Sequence, residues 1–307
     1  MFKNLHRTSS ATQRYSRSPL RESSDPFTRT NGGRNGELTS RHRQDQHRAA
    51  SPSRTSTNSS RSRLTDALLS ATPKQYVAAT ETPFLRLAGQ GKLSKHTLSR
   101  WLSQDRLYAE TYITFITSLI ARVTLPYAFV SDRSASLRWR IINILTGAFQ
   151  NIHTELSFFT ETAQKYGLQL DLPYDDTAKD FGPNRVTEQY LTLFRSYHLD
   201  PSQTLLEGLI VLWATEKCYL QAWTYASKFM ASTVRESSDD LDGGALREKF
   251  IPNWSSDEFV QFVQDIADIT DDLADQEGAM RKVEVYKALW SHVLEIEKDF
   301  WPDVDGQ

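Results

Sequence analysis

The run Trp101-Leu-Ser-Gln-Asp105-Arg-Leu-Tyr108-Ala-Glu-Thr-Tyr112 sets one carboxylate and two phenols at i, i+3 and i+7. On a helix these three share a face. Turned inward, they would need hydrogen-bonded partners or a polar cavity, because an unpaired buried charge is too costly to keep. The plain alternative is an Asp105 facing water in a first turn, with Tyr108 and Tyr112 packing by their rings. A second group lies in Leu209-Ile-Val-Leu-Trp213-Ala-Thr-Glu216-Lys-Cys-Tyr219-Leu-Gln-Ala-Trp223, where one acid interrupts an apolar stretch. Glu216, Tyr219 and Trp223 repeat the same spacing. A carboxyl against a phenol and an indole holds its proton more tightly than in water and suits general acid or base work. Its structural alternative is an ion pair with Lys217, Lys228 or an arginine of another helix.

Other reactive residue types carry less. Cys218 follows Lys217 but stands on a different helix face from Glu216, so a buried, inert thiol is expected. His153 and His292 fall within helices but have no partner at metal-ligand spacing, so a metal site is weakly supported. For a haem one axial histidine would suffice, and His96 or His153 could serve, but nothing in the sequence marks either. Phosphate loops and nucleophile elbows are absent from the sequence. In the last helix Trp290, Val293, Leu294 and Trp301 read as core, and Glu297 as a clamp on a neighbouring helix end.

Helices must position these groups. Thr72-Pro73 is a start signal, and Ser94 to about Ala121 carries apolar residues at helical spacing, with Pro126 ending it. Further helices are expected at about Ser134–Tyr166, closed by Gly167, and at Asn184–Tyr197, Pro201–Ala231, Ser256–Gln276 and Met280–Phe300. Leu168 to Pro183 reads as an irregular connection, and Glu236 to Lys249 as an acidic, glycine-containing loop. The fold class is all-α: a single helical bundle of seven or so helices, preceded by a disordered basic tail.

That tail, residues 1–63, is rich in Ser, Thr, Arg and Asn, and holds 13 Lys/Arg against 4 Asp/Glu and none of the seven tryptophans. It cannot bury enough apolar surface to order itself. Residues 64–307 carry 23 Lys/Arg against 34 Asp/Glu, so an overall charge of −2 conceals a basic tail on an acidic globule. An acidic partner is one expected contact of the tail. One cysteine suits a reducing compartment, and no apolar run approaches a membrane span. The cytoplasm is the expected location. A mitochondrial presequence is the second choice, on the strength of Lys3, Arg7, Arg14 and Arg17 without an acid among them.

The order Thr82-Pro83-Phe84, Gly89 to Leu93, then Trp101-Leu-x-Gln104-Asp105-x-x-Tyr108-x-x-x-Tyr112 resembles the opening of TenA (thiaminase II) proteins. The likeness continues through Glu155, Asn253-Trp254-Ser255-Ser256-x-Glu258-Phe259-x-x-Phe262-Val263 and Trp290…Glu297…Trp301-Pro302. It covers the globule and none of the tail. The resemblance implies a haem-oxygenase-like all-α fold and hydrolysis of aminopyrimidines in thiamine salvage, without a cofactor. It implies Asp105 as binder of the substrate amino group; on that reading Tyr108 and Tyr219 hold the ring, Tyr112 stands behind them and Trp223 forms an apolar wall. Trp-Ala-x-Glu-x-x-Tyr resembles the glutamate-type eukaryotic branch, with Glu216 catalytic and Thr215 where other members carry a cysteine. The pattern departs from the family at Thr187, Lys287, Ser291 and Leu294. Family likeness further implies self-association. A catalytically inactive binding or regulatory module of the same fold is the alternative, and oxygen or redox chemistry on a related fold a third.

Overall fold

The computed structural model describes residues 63–304, except 176, 178, 179 and 231–235. The expected disorder of residues 1–62 therefore lies outside the described residues. Among the described residues the chain is helical and has no strand. In order, α1 spans Leu64–Ala71, α2 Pro73–Thr80, α3 Pro83–Gly89, α4 Lys95–Ala121 and α5 Leu137–Tyr166. Then follow α6 Arg185–Leu199, α7 Leu205–Ser227, α8 Ile251–Trp254, α9 Asp257–Glu277 and α10 Val283–Phe300. Arg63, assigned to the tail by composition, stands at the N-cap position of α1 without a side-chain capping bond, and its guanidinium instead donates to Asp271 on α9 at 2.7 Å.

Local chemistry sets the ends of the long helices. Ser94, Asn184 and Ser256 accept a backbone N–H three residues on, at the starts of α4, α6 and α9. Thr204 and Glu207 form a reciprocal capping box that starts α7 at Leu205 rather than near Pro201. Helix α5 stops at Gly167 in the left-handed conformation, φ 67°. Pro126 does not end α4, which stops at Ala121 and leaves the proline in the following loop. Likewise α5 begins three residues later than expected, and α10 follows a short 3-10 turn at Ala279–Lys282.

Helix α7 is the central element. Leu205, Leu206 and every residue from Gly208 to Thr215 are buried, so it is apolar all round, as an interior helix should be. It packs against α9, α10, α3 and α2, while α4 packs on α5 and α6. Gly89 lets α3 approach α7 closely, for a Cβ there would stand 2.0 Å from the Ala226 carbonyl oxygen. Trp101, Trp223, Trp254 and Trp301 form one aromatic cluster at one side of α7. Trp290 stacks on Trp213 and donates its indole N–H to Thr72 at 2.9 Å.

Two connections matter for the interior. The irregular segment after α5 is tied to α4 through Ser99, Ser103 and Gln104, whose amide donates to Gly182 at 3.1 Å and accepts from the Asn184 N–H at 2.9 Å. The acidic segment expected as a loop is partly helical. After Gly243 and Gly244, both at positive φ, it winds a π-helical turn at Leu246–Phe250 that runs straight into α8. Asp242 starts that turn by accepting the Gly244 and Leu246 N–H groups. No helix among the described residues is long and apolar enough to cross a membrane.

Candidate functional site

Asp105 and Glu216 face the same hollow. Asp105, Tyr108 and Tyr112 from α4, Glu216 and Tyr219 from α7, and Ile152, Glu155 and Phe159 from α5 line one lobe. A second lobe adjoins it through Tyr112, Ile152, Glu155, Glu216 and Tyr219, and is completed by Ala148, Asn151, Trp254, Phe259 and Phe262. Each lobe measures about 30 Å³. That is room for a water or so, roughly a tenth of an ordinary ligand pocket.

Each carboxylate here has an aromatic donor from another helix. The Tyr219 hydroxyl donates to Asp105 at 3.0 Å. The Tyr112 hydroxyl donates to Glu216 and the Trp254 indole N–H to Glu155, both by short hydrogen bonds. These reciprocal pairs lock α4 to α7 and α5 to α8, and they fix the rotamers of the acids. Among the described residues Glu216 has no ion pair with Lys217, Lys228 or an arginine, and Asp105 is buried rather than turned to water.

No lysine, arginine or histidine lines either lobe, so nothing nearby favours the ionised acids. Burial raises Glu216 to about 8, with Glu155 and Glu297 adding repulsion and the Tyr112 hydrogen bond opposing. Burial also raises Glu155 to about 7 against the Trp254 hydrogen bond. Asp105 is pushed well up, first by burial and then by Glu155. Tyr108 and Tyr112 are held neutral chiefly by burial and next by the Glu216 charge. Near neutrality the site therefore contains both protonated and ionised carboxyls, the condition for paired acid and base work.

Trp223 does not form a wall of this hollow. It lies one turn beyond Tyr219, among Trp101, Trp254 and Trp301. Cys218 is fully buried, and burial raises its thiol well above the usual value. His96, His153 and His292 are all solvent-exposed. Among the described residues no group of three His, Cys, Asp or Glu side chains is placed to hold a metal ion. Glu297 is buried and accepts a short hydrogen bond from Tyr190 on α6, so it joins α10 to the side of α6 rather than to a helix end. Glu155 and Trp254 appeared in the sequence only as points of resemblance. Their meeting across nearly a hundred residues left no periodic signal.

No protein-family model matches the chain. A "probable transcription factor" of Fusarium pseudograminearum is 30% identical over 249 residues, 73% of this chain and 48% of that protein, so the match spans about half of that relative's length. A "probable bifunctional TENA-E protein" of Glycine max is 22% identical over 226 residues, 74% of this chain and 86% of that protein. Among solved structures, a TenA homologue from Pyrococcus furiosus superposes with TM-score 0.60 at 21% identity, covering 78% of this chain and 98% of its own. A second from P. horikoshii gives TM-score 0.59 at 16% identity, covering 78% and 97%. These structures share the fold of this chain. In sequence as in fold, then, the chain is similar to TenA proteins.

Proposed function

We propose that the chain is an aminopyrimidine hydrolase of the glutamate type, cleaving a C–N bond in thiamine salvage. The observation that supports this most is that Asp105 on α4 and Glu216 on α7 open onto one enclosed hollow with elevated proton affinity. Asp105 accepts the ring amino group of the substrate, with Tyr219 holding its other side. Tyr108 and Tyr112, stacked at 5.8 Å, flank the ring. Glu155, the more acidic of the two glutamates, takes a proton from water as the water oxygen adds to the reacting carbon. Glu216, the more basic, remains protonated and delivers its proton to the leaving nitrogen as the C–N bond breaks. Both glutamates touch both lobes, so one water can sit between them. A substrate ring needs more room than the lobes now give, so binding parts the aromatic walls.

The test is Glu216→Gln, assayed for formate or ammonia release from formylaminopyrimidine, with folding checked by circular dichroism. Loss of turnover in a folded protein is expected; unchanged turnover removes Glu216 from the mechanism. A second reading, a ligand-binding regulatory module, is favoured by the name of the Fusarium relative and by a solved TenA family transcription regulator from Silicibacter with TM-score 0.59. Aminopyrimidine binding without product release would select it.

A further inference from the structure

Asn151 takes no part in the steps above, yet it lines the second lobe with Glu155 and Glu216. It stands one helical turn ahead of Glu155 on α5, so its amide and that carboxylate share a face. Its Nδ2 is buried and donates to no acceptor in the protein. The acids beside it are already engaged by Tyr112 and Trp254. A buried N–H without an acceptor is a standing cost to the fold, recovered only when an acceptor enters.

The two lobes share the Glu155 and Glu216 carboxyls, and the polar groups that set them apart are Asp105 in the first and the Asn151 amide in the second. The Asp105 carboxyl has an oxygen that can accept an N–H. The second presents an amide donor walled by Ala148, Phe259 and Phe262, which keep bulk water out. An ammonium group has only N–H to offer and leaves Asn151 unpaired. A carboxamide carries an oxygen that answers it.

We propose that Asn151 determines specificity by donating to the acyl oxygen of an N-acyl aminopyrimidine, so that the site selects the amide over the corresponding free amine. This rests on the hydrolase reading above. Water adds to the carbonyl carbon, forming a C–O bond, and the carbonyl π pair moves onto the oxygen held by Asn151. That pair returns as the C–N bond breaks; the water proton has gone to Glu155 and the nitrogen receives the Glu216 proton, leaving a carboxylic acid and an amine. Because charge gathers on the oxygen during attack, the Asn151 hydrogen bond is stronger in the transition state than in the bound substrate.

The experiment uses the full chain and two probes, formylaminopyrimidine and its free aminomethyl counterpart, with Asn151→Ala and the bulkier, donor-free Asn151→Leu. Calorimetric titration should show about tenfold weaker binding of the formyl compound to both variants, with the amine bound within twofold of wild type. Turnover of the formyl compound should fall about 100- to 1,000-fold. Equal weakening for both probes would assign Asn151 a structural role and overturn the proposal, as would formyl binding that the variants leave unchanged. A wild-type protein that binds neither probe removes both this role and the hydrolase reading. A wild type that binds both but is unaffected by Glu216→Gln removes only the role of Glu216, and the ratio of affinities still decides Asn151.

Discussion

Replacing Glu216 by glutamine should stabilise the protein, and increasingly so as the pH rises. Glutamine keeps the side-chain oxygen that accepts the Tyr112 hydrogen bond while removing the ionisable group. Below about pH 4.5 the carboxyl is protonated in both the folded and the unfolded chain, and the two proteins should melt alike. Between there and about pH 8 the unfolded chain releases the proton while the folded one retains it, so wild-type stability declines over that window and levels off above it. The displacement from 4.5 to about 8, at about 1.36 kcal/mol per pH unit, sets a ceiling near 5 kcal/mol. Glu216 borders the hollow, and water entering there reduces the penalty, leaving roughly 2–5 kcal/mol. For a globule of this size that corresponds to a gain of order 10 °C in melting temperature at pH 8.5. Thermal and urea unfolding of both proteins from pH 4 to 9 measures it. A difference between them that stays constant across that range would refute the argument, because it would mean that Glu216 has the same proton affinity folded and unfolded.

Activity on formylaminopyrimidine should follow a bell in pH. Its kcat/KM climbs as the more acidic member of the Glu155–Glu216 pair ionises near 7 and declines as the second does near 8; a flat profile from pH 6 to 9 would exclude paired carboxyl chemistry. Trp254→Phe removes the hydrogen bond that holds Glu155 down, so the rising limb of that bell should move to higher pH; an unmoved limb dissociates Glu155 from it. Gly89→Ala forces a methyl against the Ala226 carbonyl and should cost about 1–3 kcal/mol. An unchanged urea midpoint would show that α3 can slide away from α7.

Groups related by one helix were readable in the sequence, and groups brought together by the fold were not. Asp105 with Tyr108 and Tyr112, and Glu216 with Tyr219, follow from the 3.6-residue period alone. The partnerships that give them meaning, Tyr112 to Glu216 and Tyr219 to Asp105, cross between α4 and α7 and have no local signature. Glu155 was harder to see, because His153, Thr154 and Ser157 around it are exposed and make its helix look like an ordinary surface helix. Trp223 illustrates the opposite error. It shares the face of Glu216, but seven residues are about 10 Å along the axis, beyond the end of the hollow. The starts of α4, α6 and α9 could be read from their capping residues. For α7 the Thr204–Glu207 capping box sets the start, and Pro201, a helix-start residue type, lies in the turn before it.

The closed state of the hollow bears on how fast any guest can be captured. With each lobe near 30 Å³, the form described here is not the one that holds a heteroaromatic ring, so capture draws on a rarer, opened population. Measured affinity is then the intrinsic affinity reduced by the fraction of molecules open. In rapid mixing, the observed rate should level off with increasing guest concentration at the opening rate, well below diffusional encounter.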